Sequence, residues 1–228
     1  MHKHVLYLLI FLSNICFSQI SFYKINPTAG YKPYIMRLDS CVTANYYKDS
    51  ALYYKGLILL KNNQNADAKK TCALLITLFP DYLDAHYLKG LINFSEKSYI
   101  SCIDEFSIVI EKNRKHVKAL FNRSTALGLI ENYNKAIEDL DACISLKPMY
   151  SQAYYSRAYW EEFLGNHVAS IKDYENTINI DPKNYDAYLG LAYIYLNQKN
   201  KVKSCEIINN AIKSGSQIAE DLKENFCK

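Results

Sequence analysis

The sequence predicts an all-α solenoid of antiparallel helix pairs, and three observations predict it. From Asp49 the chain divides without gaps into five blocks of 34 residues, 49–82, 83–116, 117–150, 151–184 and 185–218. Within each block apolar residues recur at helical spacing on both sides of a polar break, as in Leu120, Phe121, Leu127 and Ile130 before Glu131–Asn132. Seven Gly and five Pro in 228 residues are too few for the many turns of an all-β chain.

The residues ahead of the blocks read differently. Residues 1–18 have the shape of a secretory signal: Lys3 and two histidines, an apolar run from Val5 that continues past Ser13 and Asn14 to Phe17, then small residues. The run is shorter than the ~20 apolar residues of a membrane-spanning helix. Cys16 and Ser18 supply the small positions of a cleavage site, so cleavage is expected after Ser18, with a mature start at Gln19 and a periplasmic or secreted location in a bacterium. An uncleaved anchor ranks second. Lipid attachment at Cys16 ranks third, because Asn14 and Ile15 stand where a small residue is wanted. Residues 19–48 read as a linker followed by an N-terminal cap, with Leu38, Cys41 and Val42 apolar.

Each block explains itself as two helices. Position 3 is Ala51, Ala85, Ala119, Ala153 and Ala187; position 8 is Gly56, Gly90, Ser124, Ala158 and Ala192; position 20 is Ala68, Cys102, Ala136, Ser170 and Ser204. Small side chains at positions 8 and 20 let the two helix axes approach closely. Position 32 is Pro80, Arg114, Pro148, Pro182 and Ser216, and a proline ends the second helix. A stripe containing positions 24, 27 and 28 is left to face the next block, since one hairpin cannot bury both faces alone. Residues 219–228, AEDLKENFCK, carry Leu222 and Phe226 at core-facing spacing and are expected to form a capping helix over the last apolar face.

This pattern resembles the tetratricopeptide repeat (TPR) family. The family's signature, an aromatic or Leu, then small, aromatic, Ala, aromatic and Pro, maps onto Leu52, Gly56, Leu59, Ala68, Cys72 and Pro80, and again onto Tyr154, Ala158, Glu161, Ser170, Tyr174 and Pro182. Glu161, Arg114 and Ser216 depart from it without disturbing the register. The resemblance implies a right-handed superhelical solenoid of five TPR units plus a C-terminal capping helix, whose first helices line a concave groove through positions 2, 5, 9 and 12. Positions 5 and 9 then nominate Tyr53, Tyr87, Phe121, Tyr155, Tyr159 and Tyr193 as groove residues. Tyrosine combines a large apolar area with a hydroxyl that can bond a peptide backbone. With 21 tyrosines in the chain, packing between repeats is the competing reading of the same rings. Lys118 and Asn122 are isolated, so the family's clamp for a C-terminal carboxylate is not transferred.

No catalytic constellation emerges. His86, His116 and His167 occupy repeat positions 4, 34 and 17, far apart, and no metal-ligand or nucleophile motif joins them. Neighbouring Glu161 and Glu162 point in different directions on a helix. The net charge of +4 is scattered, without a basic block to follow a phosphate backbone. Six cysteines remain after export, with no CxxC; they read mainly as small core fillers, although an oxidising compartment permits disulfides. The expectation is a non-enzymatic, exported scaffold or adaptor that needs no cofactor and no metal. It binds a protein or peptide segment in an envelope-associated assembly; the alternative is a structural subunit that stacks through its solenoid ends.

Overall fold

The computed structural model describes residues 31–45 and 47–227. The expected signal, its cleavage site and the linker up to residue 30 lie outside them. The described residues form twelve α-helices and no strand. None of these helices is long and apolar enough to cross a membrane. The chain divides into two compact units, one ending at Lys112 and one beginning at Asn113.

The first unit holds α1 (Lys32–Thr43), the hairpin α2 (Lys48–Lys61) and α3 (Asn65–Leu78), and the hairpin α4 (Leu83–Ser95) and α5 (Tyr99–Lys112). Leu52, Leu59, Ala68, Cys72, Leu75, Ala85, Leu88 and Ile92 form its core. The glycine of position 8 does different work in the two hairpins. At Gly56 a Cβ would strike Leu88 of the following hairpin, whereas at Gly90 it would strike the Phe106 ring of the partner helix. Small residues here therefore set the spacing between hairpins as well as within one. α1 packs Leu38 and Cys41 against Ala51 and Ile58. Counted backwards in the 34-residue register these two occupy positions 24 and 27, so α1 repeats the second-helix pattern of a block.

The second unit holds the hairpins α6 (Val117–Leu129) with α7 (Tyr133–Leu146), α8 (Ser151–Phe163) with α9 (His167–Ile180), and α10 (Tyr185–Asn197) with α11 (Lys201–Lys213), then α12 (Gln217–Phe226). The position-8 and position-20 residues Ser124, Ala136, Ala158, Ser170, Ala192 and Ser204 are all buried. Leu140, Cys143, Tyr174, Thr177, Ile208 and Ala211, at positions 24 and 27, are buried as well.

One turn closes every hairpin in both units. Position 15 is left-handed at Asn63, Lys97, Glu131, Gly165 and Lys199. The next N–H then donates to the carbonyl five residues back, as Asn132 does to Leu127, and the position-15 N–H reaches position 12, as Glu131 does to Gly128. This is the Schellman closure, which satisfies the last carbonyls of the first helix.

The last turn corrects the expected register. Where other blocks carry their proline region, Gly215 sits at φ +100° and Ser216 donates its N–H to Ala211. The same closure therefore joins α11 to α12. The Ser216 hydroxyl accepts from the Ala219 N–H, as Asn184 accepts from Ala187 and His116 from Ala119. Ala219 consequently takes the place of the position-3 alanines, two residues earlier than an uninterrupted 34-residue count requires. A disulfide between Cys205 and Cys227 ties α11 to the end of α12, with Cα atoms 5.6 Å apart. The filler reading holds instead for Cys72, Cys102 and Cys143, which are free thiols in the core. Burial pushes their pKa values up to about 11, 12 and 12.

Candidate functional site

Positions 5 and 9 are four residues apart on each first helix, so their side chains lie one above the other. In the first unit Tyr53 is half-buried, edge-on to Tyr54 at 5.2 Å and to Tyr82 at 6.3 Å. Burial, reinforced by Asp84 and neighbouring phenols, holds its hydroxyl well above the usual tyrosine range. Tyr87, expected to be exposed, is only 6 % exposed. Its ring lies 5.6 Å from Phe106, which itself rests on Gly90, one turn further along the same face. Tyr87 is therefore a core residue, and the absence of a Cβ at Gly90 is what draws Phe106 beneath it.

In the second unit Phe121 is half-buried beside Tyr150 at 5.2 Å, and Tyr155 is half-buried beside Tyr174 at 5.8 Å. Position 9 behaves differently: Tyr159 is 40 % exposed and Tyr193 56 %. Leu120 and Ala158, one residue before Phe121 and Tyr159 on the same helices, are buried.

The stripe continues to a residue the sequence reading passed over. Phe163, one turn after Tyr159, is 56 % exposed, with ring centroids 5.1 Å apart. Tyr133, from the start of α7, stacks on Phe163 at 5.2 Å and on Trp160 at 5.7 Å. Trp160 is buried over Gly128, where a Cβ would strike the indole. Among the described residues its indole N–H finds no hydrogen-bond partner. The missed signal was the 5, 9, 13 spacing itself, which in block four reads Tyr155, Tyr159, Phe163.

Beside this stripe lies a second missed feature. Glu162 is half-buried on α8, and its Oε2 accepts a 3.3 Å hydrogen bond from the buried Tyr174 hydroxyl. The phenol passes directly under α10 because residue 190 is glycine; a Cβ there would meet the ring carbon bearing the hydroxyl. Burial raises the Glu162 pKa, partly offset by the Tyr174 hydrogen bond and by His167. Tyr155 is raised too, by burial first and then by Asp186, Tyr159 and Glu162. Glu161, by contrast, accepts from the Asn166 side chain at 2.7 Å.

Several charges on the first helices are spent internally. Position 7 pairs with position 23 in three hairpins: Lys89 with Glu105 at 2.6 Å, Arg123 with Asp139 at 2.7 Å, and Arg157 with Asp173 at 2.6 Å. Glu105, Asp139 and Asp173 are buried. His86 lies 2.8 Å from Glu105, and His116 caps α6. Among the described residues no three His, Cys, Asp or Glu side chains converge as metal ligands. An open cleft of about 550 Å³ beside α1 includes Lys55 and Lys70. These two pair with Asp39 and Asp67.

Tetratricopeptide-repeat profiles match residues 50–82, 117–149 and 173–206. The chain is a tetratricopeptide-repeat protein. No curated protein matches its sequence. MamA of Desulfovibrio magneticus RS-1, from residue 41 to its end, shares 15 % identity over 74 % of this TPR chain and 95 % of its own, with a TM-score of 0.68. PilF of Pseudomonas aeruginosa shares 16 % over 74 % and 77 %, at 0.67. YrrB, described as a TPR protein with an unusual peptide-binding site, shares 16 % over 82 % and 97 %, at 0.65. At such identities the likeness shows the fold. TPR solenoids are in general non-enzymatic scaffolds for protein–protein interaction, which implies protein or peptide partners.

Proposed function

We propose that this TPR protein is an exported adaptor that holds a protein or peptide segment along the first-helix face of its repeats, within an envelope-associated assembly. The aromatic stripe of the second unit, half-buried at Tyr155 and exposed at Tyr159 and Phe163, with the exposed Tyr193 on the next hairpin, carries the reading. Large aromatic rings at a surface expose apolar area that a partner can cover, and they are the side chains that most often dominate such contacts. The peptide-binding site that YrrB is described as having supports the same use of the fold. The Cys205–Cys227 disulfide supports export, because such bonds persist in oxidising compartments. Mature chain recovered from an envelope fraction should begin at Gln19; an intact Met1 would overturn the export reading. Capture of binding proteins from that fraction should weaken when Tyr159 and Tyr193 are both replaced by Ala, with the helical melt unchanged. Equal capture by the variant would overturn the groove. A sedimentation coefficient that rises with concentration in the absence of any partner would favour stacking between copies instead.

A further inference from the structure

Block four departs from the others at two positions together. Position 12 is Leu60, Phe94, Gly128 and Leu196 elsewhere, and Glu162 here; position 24 is Cys72, Phe106, Leu140 and Ile208 elsewhere, and Tyr174 here. The two exceptions meet, since the Tyr174 hydroxyl donates to Glu162 Oε2 through the space that Gly190 leaves open. The result is a carboxylate held half-buried at the edge of the aromatic stripe. Asp186, at the start of α10, adds a second negative charge, which acts on the Tyr155 hydroxyl together with Glu162. Among the described residues neither acid has a Lys, Arg or His within ion-pair distance. The nearby Arg157 is committed to Asp173 and Asp141. Along positions 2, 5, 9 and 12 of blocks four and five, Glu162 and Asp186 are the charged residues, and both are acidic.

A carboxylate partly withdrawn from water gains most from an added cation. Exposed aromatic faces beside it favour a flat cation that can stack while it bonds. We infer that Glu162, Asp186 and the rings of Tyr155, Tyr159 and Phe163 receive an arginine side chain of the partner segment. The guanidinium lies against the exposed rings and donates to the Glu162 carboxylate, whose Oε2 the Tyr174 hydroxyl holds in place. This deepens the groove reading and rests on it. The competing role for Glu162 is purely structural, as the acceptor for a buried phenol. Glu162→Gln separates the two, because an amide oxygen still accepts from Tyr174 while the charge is gone.

The test is selection of a random twelve-residue peptide library, displayed on phage, against the full chain. The peptides recovered should share an arginine. A synthetic copy of the strongest should lose about tenfold or more in affinity, the scale of one charge-assisted hydrogen bond, when that arginine becomes neutral citrulline. Glu162→Gln should cause a similar loss with no fall in thermal stability, and the citrulline peptide should lose nothing further on that variant. Peptides that depend on Tyr159 yet lack a basic residue, or that bind the Gln variant equally well, would overturn the arginine assignment and leave the groove standing. Recovery of no peptide above background would overturn both.

Discussion

Asp173 is buried, and Arg157 reaches it through both Nε and Nη2, at 2.6 and 2.8 Å. Replacing Arg157 by Ala strands that carboxylate, and the expected cost is about 3 kcal/mol. The exposed Lys69–Glu96 pair, at 2.9 Å, lies mostly in water, so Lys69→Ala should cost about 0.5 kcal/mol or less. Urea unfolding of the two variants checks the contrast; equal costs would mean that Asp173 is solvated without its arginine. Glu162 behaves in the opposite sense. Burial raises its pKa, so the protonated form is favoured more in the folded chain than in the unfolded one. Its charge then works against folding, a cost absent below the ordinary carboxylate range and established as pH rises through the raised folded value. Glu162→Gln should therefore melt above the parent at pH about 7, with the gap closing as pH falls towards about 4. A gap that widens on acidification would contradict the assignment.

At the level of the helix pair, one closure and one crossing repeat five times. The left-handed residue at position 15 is a glycine in block four alone; Asn, Lys or Glu takes it elsewhere. The turn is thus held by the Schellman hydrogen bonds and the packing around it, and composition gives little warning of it. The crossing is legible, because its small residues recur. Ala136 is fully buried between α7 and α6, with Ser124 at the matching position. Ala136→Trp should cost about 3 kcal/mol or more, since overpacking a tight crossing displaces two helices. Asn134, two residues earlier and exposed, should tolerate Trp with a change of about 0.5 kcal/mol or less. Thermal melts of the pair decide it, and equal effects would mean that the crossing lies elsewhere.

Across the molecule, the last apolar face of the repeats must be covered. In the second unit α12 brings the buried Ala219 to this closure, and Tyr188, Ala192, Ile208 and Ala211 lie on the face it covers. The Cys205–Cys227 bond spans 22 residues, and constraining that loop in the unfolded chain stabilises the unit by about 3 kcal/mol. Reduction, or Cys227→Ser, should lower the melting temperature and leave amides of α12 exchanging faster than those of α8. Unchanged exchange in α12 would show that its packing suffices without the disulfide.

The repeat, the helix pairs and the buried faces of positions 3, 8, 20 and 24 were legible in the sequence because each is a local period multiplied five times. A helix demands apolar residues every three to four positions, and a crossing demands a small residue where two axes meet. What lay outside that period was decided by tertiary packing. Tyr87 and Tyr159 are both tyrosines on the groove stripe, yet one rests on Phe106 above Gly90 and the other reaches solvent. The Tyr174–Glu162 contact depends on a missing Cβ at Gly190, from the next hairpin. The two-residue slip ahead of α12 depends on the left-handed Gly215. These are single events in three dimensions, and a pattern of residue classes carries no information on which neighbour fills a given gap.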